Sequence, residues 1–259
     1  MKKIDYKKIY ILIKEFLINL FEPKVSFYAA SMSWSTLFFI IPLLVIIFSI
    51  LLHLPIFNEY YDKIHSLIAS YIVPTNSKDI MKWIDSFVNN AHTMGYVGGV
   101  YVVIAAFLFF RDYDFIVNDI FNLPRRSFLN ATILYFLLLL IVPIVMALII
   151  WFTSSEITIL KFFSQFIIVW SLIFLIFMIT PKEKIPFKIV ALSSFVTSFV
   201  WVVAKSLFIF YITYNKTYTT IYGAVSIVLF IFLWIYLSWV IFLHGLQLTK
   251  ILLDEEKDE

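Results

Sequence analysis

Six stretches of this chain are too apolar and too long to hide inside a water-soluble core. They cover residues 29–52, 94–116, 128–152, 160–179, 187–213 and 222–250. A hydrocarbon layer about 30 Å thick takes ~20 apolar residues in a helix rising 1.5 Å per residue. Five stretches meet that length outright. The second meets it only when the apolar run 94–110 is extended through the polar segment 111–119. In lipid no water satisfies the backbone, so each stretch must close its own hydrogen bonds as a helix. Composition agrees: 62% of residues are hydrophobic and 14% charged, against roughly a half and a quarter in soluble domains. The expected fold is an all-α integral membrane protein with six transmembrane helices in a single membrane domain over residues 1–259.

The segments between the spans have their own patterns. Residues 1–22 place Tyr6, Ile9, Ile13, Phe16, Leu17 and Leu20 on one helical face, with Lys3, Lys7, Lys14 and Glu15 largely elsewhere. This is an amphipathic helix, suited either to the membrane surface or to packing on the end of the bundle. Residues 53–93 are too polar to span. Phe57, Tyr60, Tyr61, Ile64, Leu67, Ile68 and Tyr71 recur at helical spacing, and Ile80, Trp83, Ile84, Phe87 and Val88 do so after Val73-Pro74. Two short amphipathic helices, forming a cap outside the bilayer, are expected. Asn122-Leu123-Pro124-Arg125-Arg126 reads as a turn, Thr180 to Pro186 as a short basic loop, and Asp254 to Glu259 as a solvated tail.

Six spans bring both termini to one side. Fourteen of the twenty lysines and arginines fall in segments on that side, five fall on the other, and the last is Lys205 within a span. Positive charge marks the cytoplasmic face, so both termini are expected in the cytoplasm and the cap outside it.

Lys205 is the basic residue set well inside an apolar span. An ammonium at membrane depth is costly and calls for a partner, a bundle interior or a wet cavity. Trp201, Ser198, Thr197 and Ser194 precede it by four, seven, eight and eleven residues, which puts them on one helical face. That face suits either an anion-binding polar cavity or a structural role, in which Lys205 pairs with a carboxylate or snorkels outward and the hydroxyls make polar contacts between helices. Arg111, Asp114 and Asn118 form a second stripe at the end of the second span. It reads as a cytoplasmic mouth or as a solvated helix extension, with Arg111 and Asp114 spaced to pair with each other. Arg125, Arg126, Lys182, Lys184 and Lys188 follow from topology, with anionic lipid headgroups as a second use.

Several chemistries are excluded or lack residues. The chain has no cysteine, so disulfides and thiolate chemistry are out. His53, His65, His92 and His244 show no metal-ligand spacing, and there is no phosphate-binding glycine loop. No cofactor, metal site or catalytic set is expected.

The order of features resembles the YihY/virulence factor BrkB family of bacterial membrane proteins. The resemblance rests on Phe27 to Pro42, on Arg111-Asp112 through Pro124-Arg125-Arg126, on Trp201 with Lys205, and on Tyr218 to Gly223 followed by Leu233 to Ser238 and Gly245. It covers nearly the whole chain. The chain departs from the family at Val202 and Gln247, where relatives often look to carry glutamate. The resemblance implies an inner-membrane protein with a transport or envelope role. It also brings the label ribonuclease BN, which the residues do not support: there is no paired-base set, no metal cluster and no exposed basic groove with aromatics.

The expected function is therefore that of a transporter or flippase for an anionic or amphiphilic substrate. Its polar cavity would be lined by spans one, two, five and six, with Lys205, Trp201, Ser198, Thr197, Ser194, Arg111, Asp114 and Asn118 as binding residues. The alternative is a non-transporting envelope scaffold acting through the cap. Membrane lipids are the expected partners, nucleic acid is not, and no pattern specifies an oligomeric state.

Overall fold

The computed structural model describes residues 23–52, 77–127, 130–131, 133–135, 137, 158–214 and 225–258. The expected amphipathic segment 1–22, the first part of the expected cap, most of the third span and residues 215–224 lie outside the described residues. Among those described, all regular structure is helical. The helices are α1 (Pro23–Leu52), α2 (Ser77–Ile120), α3 (Thr158–Ile179), α4 (Phe187–Tyr214) and α5 (Val225–Asp258). Residues 130–131 and 133–135 are helical as well.

Helix α1 begins at Pro23, whose fixed φ and missing N–H suit a first helical turn. It continues through Pro42. Helix α2 corrects the reading of a separate cap helix before the second span. The two are one helix of 44 residues, roughly 66 Å long. Nothing between Ser77 and Ile120 breaks it, and helical glycines such as Gly95 and Gly99 weaken a helix without ending it. Helix α5 likewise runs on through the expected tail. Lys250 pairs with Asp254 one turn later, and Lys257 pairs with Glu183 of the α3–α4 loop.

The chain divides into two compact units, one of residues 1–33 with 110–259, the other of residues 34–109. In the smaller unit Trp34 meets Phe38 edge-on at 5.2 Å, and Phe39 stacks on Phe109 at 5.4 Å.

In the larger unit α4 runs antiparallel to both of its neighbours. Phe166 meets Phe195, Trp170 donates to Ser194 Oγ at 3.1 Å, and Phe174 meets Phe187, which joins α3 to α4. Against α5 the register is regular. Ser193 accepts from Thr249 Oγ1 at 2.8 Å, Trp201 Nε1 donates to Ser238 Oγ at 3.3 Å, and Phe208 stacks on Trp234 at 5.1 Å. The tightest approach is at Gly245, which sits directly against the Thr197 side chain. Only a residue without Cβ lets two helices come this close.

Helices α4 and Val228–Lys257 of α5 are long and apolar enough to cross a membrane. Leu192, Phe199, Leu207 and Phe210 of α4, with Val228 and Ile231 of α5, stay exposed. Contiguous apolar surface of this kind belongs against lipid.

Candidate functional site

The sequence at the end of α2 dictates its geometry. Asn122 takes a left-handed φ of 54°. Leu123 N–H then reaches Asn118 O at 2.8 Å, and Asn122 N–H reaches Asp119 O at 3.2 Å. This is a Schellman stop with asparagine in the left-handed position, and Pro124 two residues later prevents further helix. The chain is thereby folded back, so that Arg126 returns to the last turns of α2.

There it meets Asp114. Arg126 Nη1 lies 3.7 Å from Asp114 Oδ1, with both side chains about one-tenth exposed. Tyr135 Oη donates to the same oxygen at 2.7 Å, and Asn118 Nδ2 donates to Asp114 Oδ2 at 2.8 Å. Tyr113 stacks edge-on against Tyr135 and donates to Thr180 Oγ1 at 3.2 Å, which brings in the end of α3. Asn118 Oδ1 and Arg126 Nη1 are buried without a hydrogen-bond partner. The carboxylate is thus well satisfied and the guanidinium incompletely so.

Arg111 does not join this network. It is exposed and bonds Asp112 Oδ1 through Nε at 3.3 Å and Nη2 at 3.1 Å. The expected Arg111–Asp114 pair is corrected to Asp114–Arg126. The last turns of α2 bury Tyr113, Asp114, Val117 and Asn118, and Arg111 falls on the other side.

A neighbouring carboxylate has a different setting. Asp119 accepts from Lys24 Nζ at 2.6 Å and from Tyr28 Oη at 2.6 Å, tying the start of α1 to the end of α2. The Lys24 ammonium first, and the Tyr28 hydroxyl second, hold its pKa below the ordinary carboxylate value. A depressed folded pKa adds stability above the unfolded pKa, and that stability is lost as pH falls through the folded value. Asp119→Asn should therefore melt lower than wild type near neutral pH, by less than about 1 kcal/mol for a half-exposed pair. The difference should vanish in acid, as read by thermal unfolding across that range.

The second set of expected residues separates. Ser194, Thr197 and Ser198 are buried in a hydroxyl seam with Ser193 and Thr249. Each of the three donates to its own helix: Ser194 to Ala191 O, Thr197 to Ser193 O and Ser198 to Ser194 O. The seam closes α4 on α3 and α5. Lys205 lies apart, exposed among Val203, Leu207 and Ile209. Its ammonium sits 5.9 Å from the Trp201 ring centre. Trp201 is the hinge between the two sets, bonded to Ser238 and packed on Trp234 at 5.3 Å. Of the settings expected for Lys205, the exposed position matches a side chain that snorkels outward from α4.

Arg126 and Tyr135 were missed as network members. From sequence, Arg126 is accounted for by the positive-inside rule, with lipid headgroups as a second use, and not by a buried carboxylate. Tyr135 is the single phenol in the apolar run 128–152, and that isolation is the signal that points to a buried partner.

Membrane-spanning helices, apolar side chains turned outward and a buried ionic network at one end together define a helical integral membrane protein. The chain belongs to the Virulence factor BrkB family, whose profile matches residues 18–259. It is similar to a UPF0761 membrane protein of Mannheimia succiniciproducens, at 27% identity over 98% of this chain and 93% of the relative. A UPF0761 membrane protein of Haemophilus influenzae is 30% identical over 89% of this chain and 91% of its own length. No solved structure matches the chain.

Proposed function

We propose that this protein is a flippase- or permease-like membrane protein for an anionic amphiphile, a lipid or envelope-related molecule that reaches it from the bilayer. The observation carrying this reading is Lys205 on an outward apolar face, nine residues before the end of α4. That is roughly 14 Å along the helix. A cation at the centre of a membrane helix costs about 2.5–3.5 kcal/mol. The Trp201 ring offsets part of that, and an anionic headgroup arriving laterally offsets more. The closed hydroxyl seam removes a water-filled route along α4 and favours a substrate moving along the lipid-facing surface. No nuclease or other enzymatic step belongs to this reading.

The same reading places the chain in a bacterial cytoplasmic membrane with six spans and both termini inside. Support comes from the uneven distribution of lysine and arginine. It comes also from the pairs Lys24–Asp119, Asp114–Arg126 and Lys257–Glu183, which involve helix ends that this topology puts on one side.

A second reading, a non-transporting scaffold, draws on the same closed seam, since every predicted hydroxyl there is already bonded. Proteoliposomes carrying a fluorescent anionic phospholipid separate the two. Wild type should move the probe between leaflets, and Lys205→Met should lose that activity while melting like wild type, because an exposed side chain leaves no buried partner behind. Equal rates would remove Lys205 from the mechanism. No movement by wild type, with partner crosslinks at residues 77–93, would favour the scaffold.

A further inference from the structure

The two adjacent arginines after α2 have opposite fates. Arg126 turns inward to Asp114. Arg125 turns outward, its guanidinium carbon 4.4 Å from the centre of the Phe115 ring. A guanidinium resting on a ring uses its flat face and leaves its N–H edge unused. Among the described residues Arg125 has no hydrogen bond or ion pair. The nearby carboxylate, Asp119, is already engaged by Lys24 and Tyr28. Phe115 is itself half-exposed and meets Tyr28 edge-on at 6.1 Å. Lys24 lies 5.8 Å from the Tyr28 ring centre. Lys24, Tyr28, Phe115 and Arg125 thus form a row of two cations and two rings. The backbone beneath Arg125 is held by the Asn122 stop and by Pro124.

We infer that Arg125 on Phe115 is a binding site for the phosphate of an anionic phospholipid headgroup in the adjoining leaflet. A planar donor fork matches phosphate oxygens bidentately. It is held in place before the ligand arrives, so little side-chain entropy is lost on binding. The lipid is favoured over a free phosphate because the exposed Phe115 ring offers apolar contact next to the fork, as acyl chains require. Among the described residues, Lys24 and Arg125 lie beside the single carboxylate Asp119. The site is separate from Lys205 and does not depend on the transport reading.

The test is native mass spectrometry of the full chain released from nanodiscs of phosphatidylglycerol and phosphatidylcholine in equal amounts. Wild type should retain phosphatidylglycerol in preference. Arg125→Gln should weaken that preference about tenfold, as loss of a charged hydrogen-bonded contact implies. Arg125→Lys should fall between, since it keeps the charge and loses the fork. Arg111→Gln, at an exposed arginine already paired to Asp112, should retain lipid like wild type. Equal retention by Arg125→Gln, or an equal loss in Arg111→Gln, would overturn the proposal. Displacement of the lipid by millimolar inorganic phosphate would also overturn it, because the site would then be one for a free anion.

Discussion

Arg126→Gln will lower the stability of the detergent-purified protein by about 3 kcal/mol, the usual penalty for removing one partner of a buried ion pair. The pair is enclosed, with both side chains about one-tenth exposed. The loss leaves Asp114 charged and buried, with only the Tyr135 hydroxyl and Asn118 amide as donors. The double variant Asp114→Asn/Arg126→Gln should recover much of the deficit, since no uncompensated charge remains. The check is a double-mutant cycle in thermal unfolding, in which the two single losses exceed the double loss. Additive losses would mean that the 3.7 Å approach of the two groups is not an energetic coupling. Tyr135→Phe should cost less, about 1–3 kcal/mol, because it removes one donor and leaves the ion pair in place.

Gly245→Ala will destabilise the α4–α5 contact by about 1–3 kcal/mol, the range for overfilling a packed interface. A Cβ at this position would overlap the Thr197 hydroxyl, and would lie 2.7 Å from Thr197 Cγ2 and 2.9 Å from Phe177 Cζ. Neither neighbour has room to move. Thr197 is buried and bonded to Ser193 O, and Phe177 is buried against Phe242 at 5.2 Å. Gly245→Leu should prevent the two helices from packing in this register. Thr197→Ala in the Gly245→Ala background should restore part of the loss by removing the atoms that clash. The measurement is the melting temperature of the three variants beside wild type. A Gly245→Ala protein that melts like wild type would show that the helices separate without penalty.

Much of the architecture was legible because the signals are one-dimensional. Long apolar runs specify helices in lipid whatever they pack against, so α3, α4 and α5 lie close to the expected spans. The turn at Asn122 to Arg126 was legible for a similar reason: asparagine accepts positive φ, and proline ends what precedes it. The cap was harder to read. Its composition is that of an amphipathic surface helix, yet residues 77–93 continue into α2, because polarity reports the surroundings of a helix and not where it ends. The expected tail at 254–258 is solvated as its charges imply, and it is also helical, with its charged side chains finding partners on their own helix and on Glu183.

The candidate site divides along the same line. Spacing placed Ser194, Thr197, Ser198 and Trp201 on one face, and three of them are indeed buried together. Spacing also put Lys205 on that face, yet it is exposed, because spacing fixes which residues share a face of α4 and not how far along the helix a neighbour covers that face. Arg111 and Asp114 had the spacing of a pair and do not form one. Their choice of partners depends on which side of α2 is covered.

By itself, then, the sequence determined the class of the protein, the course of its long helices and the stop after α2, because backbone hydrogen bonding in lipid and turn stereochemistry act locally. Only the tertiary structure decided which charges are buried. Arg126 and Tyr135 reach Asp114 from other segments of the chain, and Gly245 matters because Thr197 faces it from another helix. Such contacts depend on the register between helices, which no single helix encodes.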